Sequence, residues 1–136
     1  MIVADTSAWV EFLRATGHPV GVALRELING KEEVAVTEVI IMELLAGARP
    51  GRDLRELRAR LLGFRVLTLE GLGDFEEAAQ LYRSCRAGGH VLRGLTDCLV
   101  AVPVLREGAA LLHNDRDLAA IAAHSGMKVH SVSAAS

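Results

Sequence analysis

The sequence predicts an α/β protein built on a mostly parallel sheet. Three observations carry this. Apolar runs of three or four residues, Ile2-Val3-Ala4, Val34-Ala35-Val36 and Ala109-Ala110-Leu111-Leu112, have the length of buried strands. Stretches with helical start and stop signals lie between them. This alternation continues along the chain, which implies parallel pairing through right-handed crossovers.

Each element has a local reason. After the strand Ile2–Ala4, Thr6 and Ser7 offer capping hydroxyls to a helix through Leu13 with Trp9, Val10 and Leu13 on its apolar face. Pro19 suits a first helical turn, and Gly30 marks the end of that helix. The strand Val34–Val36 leads through Thr37 and Glu38 into a helix that carries Glu43 and stops at Gly47 and Pro50-Gly51. Residues 52–62 form an amphipathic helix with Leu54, Leu57, Leu61 and Leu62 on one side. Arg65–Thr68 is a third strand, and Leu72–Arg86 a helix ended by Gly88-Gly89. A helix from Leu95 to Glu107, the strand Ala109–Leu112, a helix from Asp117 to His124 and the strand Val129–Ser131 complete the chain. In the helix from Leu95, Pro103 is expected to remove one hydrogen bond and to kink or shorten it.

Bulk properties bound the function. The 136 residues suit one domain, 1–136, large enough to bury a single core. No apolar stretch reaches the roughly 18 residues of a membrane span, and Asp5 interrupts any leader-like start. Cys85 and Cys98 form no metal-binding pair and read as reduced thiols of a cytoplasmic protein. A net charge of −2 argues against coating nucleic acid by bulk charge, and five aromatics make a poor stacking platform. Neither excludes a local arginine surface around an acidic pocket.

Four acids occupy apolar settings: Asp5 after the first strand, Glu43 within Val39–Ala46, Asp97 before Cys98–Val102, and Asp115 after Ala109–Leu112. A buried carboxylate needs a partner, and the two lysines supply few. Parallel sheets bind ligands beyond the carboxyl ends of their strands, where Asp5 and Asp115 fall. Glu43 and Asp97, several residues into their helices, are placed to join them. At about 4 Å each pair would repel by about 4 kcal/mol at an effective dielectric of about 20, so protons or a shared cation must compensate. Oxygen-only ligands select Mg²⁺ or Mn²⁺, whose natural chemistry is phosphodiester hydrolysis by a metal-activated water. Asp117 is either a further ligand or the cap of the helix it opens. Thr6, Ser7, Thr96 and Asn114 flank the acids and are candidates to orient carboxylates or water.

The order Asp5-Thr6-Ser7, Glu43 in an apolar helix, Asp97 after a glycine-rich loop and Asp115-Arg116-Asp117 after a strand resembles a PIN domain, most closely the small VapC-like toxins of toxin–antitoxin operons. The resemblance covers essentially the whole chain. It implies a three-layer α/β/α fold and an Mg²⁺- or Mn²⁺-dependent endoribonuclease acting on RNA such as tRNA or rRNA. It also implies homodimerisation, a cognate VapB-like antitoxin, and Asp5, Glu43, Asp97 and Asp115 as metal ligands, with Asp117 a possible addition. Leu118 departs from the aromatic that such toxins often carry there, a matter of packing.

Each residue also has a plainer explanation. Asp5 and Asp115 are placed to cap helices, Asp97 to pair with Arg93, and Glu43 to face solvent. Arg49, Arg52, Arg55 and Arg58 recur every third residue, as on a solvated helix face or beside RNA phosphates. Arg93 and Arg116 neighbour the acids and are the better phosphate contacts. His113 is a possible general acid, although strand-end histidines are more often structural. Two other functions compete. One is a catalytically inert PIN fold acting only through its protein partner, which the retained acids argue against. The other is transfer through an aspartyl phosphate, which lacks its expected second acid because position 7 is Ser.

Overall fold

The computed structural model describes residues 1–132, so the last four positions of the expected 1–136 domain lie outside the described residues. Along the chain run β1 (Ile2–Ala4), α1 (Thr6–Leu13), α2 (Pro19–Asn29), β2 (Val34–Thr37), α3 (Glu38–Ala46) and α4 (Arg52–Leu61). There follow β3 (Arg65–Leu67), α5 (Leu72–Ala87), α6 (Thr96–Arg106), β4 (Ala110–Leu112), α7 (Arg116–Ser125) and β5 (Lys128–Val129).

The strands form one sheet in the order β3-β2-β1-β4-β5, with every pair parallel. From β1 the chain steps outward to β2 and β3, then returns past β1 to β4 and β5. Right-handed crossovers made in opposite directions place their helices on opposite faces. Accordingly α1 packs on α2 and α3, and α3 on α4, while α5 packs on α6 and α7. The result is the expected α/β/α sandwich. The reversal of direction falls between β1 and β4, and there the carboxyl ends of adjacent strands open a crevice. α3 and α6, from opposite layers, also meet.

The central strands are buried on both faces: Val3, Ala4, Ala35, Val36, Leu111 and Leu112 are inaccessible to solvent. This accounts for their apolar runs lacking the alternation of a half-wet sheet. The edge strand β5 is exposed and carries Lys128, which discourages pairing with another sheet. α1 and α2 approach so closely that a Cβ on Gly21 would lie 2.9 Å from the backbone of Glu11 and Phe12. Only glycine fits that crossing.

Two expectations need correction. Pro103 lies inside α6 without shortening it, since the helix continues to Arg106. It is buried, and the missing N–H is tolerated near the end of a helix held by its packing on α5 and α7. α6 opens at Thr96, so Asp97 is its second residue and stands in the first turn, not several residues in.

Trp9 anchors the layer of α1 to α4. It is fully buried, with Phe12 and Phe64 edge-on at 5.7 and 5.5 Å between ring centroids. Its indole N–H is buried without a partner, so the ring is held by packing alone. Trp9→Ala is therefore expected to cost about 3–5 kcal/mol in urea unfolding. Trp9→Phe should cost clearly less, because no hydrogen bond is lost with the indole. Equal losses for the two variants would contradict this account.

Candidate active site at the switch point

Asp5 continues β1 into the crevice, where its backbone N–H donates to Leu112 O at 2.9 Å. It caps α1: Ser7 N and Ser7 Oγ donate to its Oδ2 at 3.0 and 2.7 Å. Ser7 Oγ also accepts from Asn114 N at 2.9 Å, which ties the loop after β4 to the end of β1. The second oxygen of Asp5, Oδ1, is buried and has no hydrogen-bond partner. An orphaned carboxylate oxygen is costly in a protein interior and points to a ligand.

Asp115 caps α7, its Oδ2 accepting from Asp117 N and Leu118 N, each at 3.0 Å. Asp117 is therefore not the cap. It lies buried in the first turn of α7 and accepts from Arg93 N at 3.0 Å and Arg93 Nε at 2.9 Å. Arg93 Nη2 donates to Asp115 Oδ1 at 2.5 Å. The pairing of Arg93 with Asp97 does not form; the loop carries the guanidinium across to α7 instead. Glu43 projects from the middle of α3 and accepts from Thr6 Oγ1 at 2.9 Å. Thr6 and Ser7 thus orient two of the acids, while Thr96 is exposed at the start of α6.

Four of the five acids stand at helix N-termini, two as caps and two in first turns. Unpaired N–H groups there favour negative charge and offset part of the repulsion. Carboxylate oxygens of Asp97, Asp115 and Asp117 come within 4.8 Å of one another. Asp5 and Glu43 are outside that tight group but share its field. Burial, followed by the charges of Asp115, Asp5, Glu43 and Asp117, raises the Asp97 carboxyl to about 7. Burial also raises Glu43; the Thr6 hydrogen bond opposes it, and Asp5 and Asp115 add to it. Asp117 is lowered, chiefly by its bonds to Arg93.

The oxygen-only donor set, the crowding of like charges and the orphaned Asp5 oxygen fit a hard divalent cation. Other candidates fare differently. His113 Nδ1 accepts from Asp115 N at 3.1 Å, a structural use, and burial lowers its pKa. Arg52 pairs with Glu56 on its own helix at 2.7 Å, and Arg49 lines a cavity with Leu13, Leu57 and Arg60. Arg116 is exposed and acts on Asp117 through its charge. A cavity of about 300 Å³ lined by Gly89, His90, Leu92, Arg116 and Asp117 borders the cluster. What sequence reasoning missed is the Arg93 clamp. Its only trace is an arginine in the loop before Asp97.

A parallel α/β/α sandwich with an acidic crevice at its switch point defines a class that comparison with known proteins resolves further. The PIN domain family model matches residues 2–124. VapC ribonuclease Mb1587 of Mycobacterium bovis is 39% identical over 123 residues, 90% of this chain and 92% of the relative. Ribonuclease VapC32 of Mycobacterium tuberculosis is 34% identical over 128 residues, 93% of this chain and 94% of the relative. The chain belongs to the PIN domain family, on its VapC ribonuclease branch. Among solved structures, VapBC2 from Rickettsia felis, bound to a promoter DNA fragment, matches with a TM-score of 0.70 at 15% identity, over 96% of this chain and 98% of that one. VapC20 of Mycobacterium tuberculosis, a sarcin–ricin loop cleaving toxin, matches with a TM-score of 0.64 at 19% identity, over 88% of this chain and 94% of that one. At those identities the two structures support the fold alone.

The raised Asp97 carboxyl has a consequence for stability. Its folded value of about 7 exceeds the ordinary 3.8, so between these limits the folded state binds more protons than the unfolded one. Stability contributed by the protonated form is complete below about pH 4 and is lost as pH rises to about 7. In EDTA, Asp97→Asn should therefore be more stable than wild type at pH 8 by on the order of 2 kcal/mol, after discounting for partial solvent access. The difference should vanish near pH 4, as read from urea midpoints. A pH-independent difference would refute the account.

Proposed function

We propose that this chain is the toxin of a toxin–antitoxin pair, an endoribonuclease that hydrolyses structured RNA with Mg²⁺ or Mn²⁺. One observation carries the reading: acids from β1, α3, α6 and the β4–α7 connection share one field, with an Asp5 oxygen buried and unpartnered among them. Asp5, Glu43, Asp97 and Asp115 would hold the ion, with Asp117 beside them. When bound, it would neutralise phosphate charge and supply water of lowered pKa for attack on the phosphodiester.

The chain's own residues do the preparatory work. Ser7 fixes Asp5 and the Asn114 backbone together, Thr6 fixes Glu43, and the helix N-termini hold the acids at the crevice. Asp5 is poorly suited to forming an aspartyl phosphate. One of its oxygens is held by Ser7 N and Ser7 Oγ, and position 7 supplies a serine in place of the second acid that such chemistry uses.

The neighbouring VapBC complexes support an antitoxin partner for this chain; a homodimeric toxin and a cytoplasmic site of action belong to the same proposal. Among the described residues no helix is long and apolar enough to cross a membrane. RNA in the tRNA or rRNA class fits a reader of shape better than a reader of sequence. Arg116, Arg49 and Arg52 are further candidates for phosphate contact.

Purified chain freed of antitoxin should cleave host RNA in Mg²⁺ or Mn²⁺ and stop on addition of EDTA. Asp97→Asn should lower the rate by about a hundredfold or more. Failure to cut any RNA species with either ion, together with unaltered growth on expressing the chain alone, would favour an inert PIN fold acting through its partner.

A further inference from the structure

Arg93 has contacts that neither sequence pattern nor helix capping explains. Its Nη2 lies 2.5 Å from Asp115 Oδ1 and its Nε 2.9 Å from Asp117 Oδ2. Its backbone N–H donates to that same Asp117 oxygen at 3.0 Å. The Arg93 side chain is 61% exposed, against 21% for Asp115 and 7% for Asp117. A solvent-facing cation thus covers two of the three acids whose oxygens gather within 4.8 Å. Among the described residues Asp97, the third, makes no ion pair.

Two features divide this contact into a fixed part and a movable one. The backbone bond to Asp117, the burial of Leu92 and the bond from His90 N to Cys85 O hold the loop between α5 and α6 without the guanidinium. The guanidinium itself sits at the crevice mouth and could leave Asp115 by side-chain rotation alone. A divalent ion approaching Asp115 Oδ1 would meet a positive charge at hydrogen-bond distance. Mutual repulsion of the two cations disfavours both holding that oxygen at once.

We propose that Arg93 is a built-in counter-ion: it and the divalent cation are alternative partners of Asp115. Cation binding releases the guanidinium to meet an RNA phosphate beside the crevice, while Arg93 N keeps Asp117 and the loop in place. Arginine suits both tasks, since its planar fork matches carboxylate and phosphate alike. The inference rests on the cation reading of the site. It makes Arg93 a substrate-contacting residue that also acts on ion affinity, in the direction opposite to a structural prop.

Mn²⁺ affinity, read from the electron paramagnetic resonance of free Mn²⁺ with calorimetry as a check, separates these roles. Arg93→Ala should bind Mn²⁺ about three- to tenfold more tightly than wild type. Arg93→Lys, which keeps the charge but cannot bridge both acids, should fall between them. Asp97→Asn should lose binding and so locate the ion. At saturating Mn²⁺, Arg93→Ala should raise KM for RNA several-fold with a smaller change in kcat. Equal or weaker Mn²⁺ binding by both folded Arg93 variants, with Asp97→Asn still defective, overturns the counter-ion role and leaves the cation reading standing. Absence of Mn²⁺ binding to wild type overturns both.

Discussion

The structure depends on holding like charges together at one edge of a sheet. Five carboxyl groups approach the crevice between β1 and β4, and burial, reinforced by their mutual repulsion, raises Asp97 to about 7. Three means of containment are visible. Helix N-termini receive Asp5, Asp97, Asp115 and Asp117. Hydroxyls of Thr6 and Ser7 hold Glu43 and Asp5. The guanidinium of Arg93 spans Asp115 and Asp117. These devices leave one oxygen of Asp5 unsatisfied, and a hard cation is the group whose chemistry answers that deficit.

The rest of the fold can be understood as the scaffold for that arrangement. Strands buried on both faces fix β1 and β4 side by side, and the bond from Asp5 N to Leu112 O extends their pairing to the threshold of the site. Because the crossovers on either side of the switch point run in opposite directions, α3 and α6 come from opposite layers and still meet above it. Tight packing, as at Gly21 and Trp9, makes this framework stiff enough to resist its own electrostatic strain.

Much of this was legible in the residues themselves. Apolar runs located β1, β2 and β4, and glycines, Pro19 and Thr37 helped to bound the helices to within a residue or two, although Asp5 caps α1 in place of Thr6 or Ser7. Asp5 and Asp115 could be placed at the sheet edge because each follows a strand. Asp97 was placed too deep in its helix, since an N-terminus without a side-chain cap leaves little signal in the sequence. Asp117 resisted assignment because one residue separates a cap from a first-turn acid. Pro103 suggested a shortening of its helix that the structure does not show.

By itself the sequence determined which chemical groups were available and the order in which the chain delivers them. Local rules suffice for that, because strand burial and most helix ends are decided by near neighbours. Only the tertiary structure decided which acids come within 4.8 Å, which oxygen remains orphaned, and that Arg93 reaches α7 and not Asp97. Those outcomes depend on side chains from separate elements crossing a gap of a few ångströms, and no periodicity along the chain encodes such a crossing.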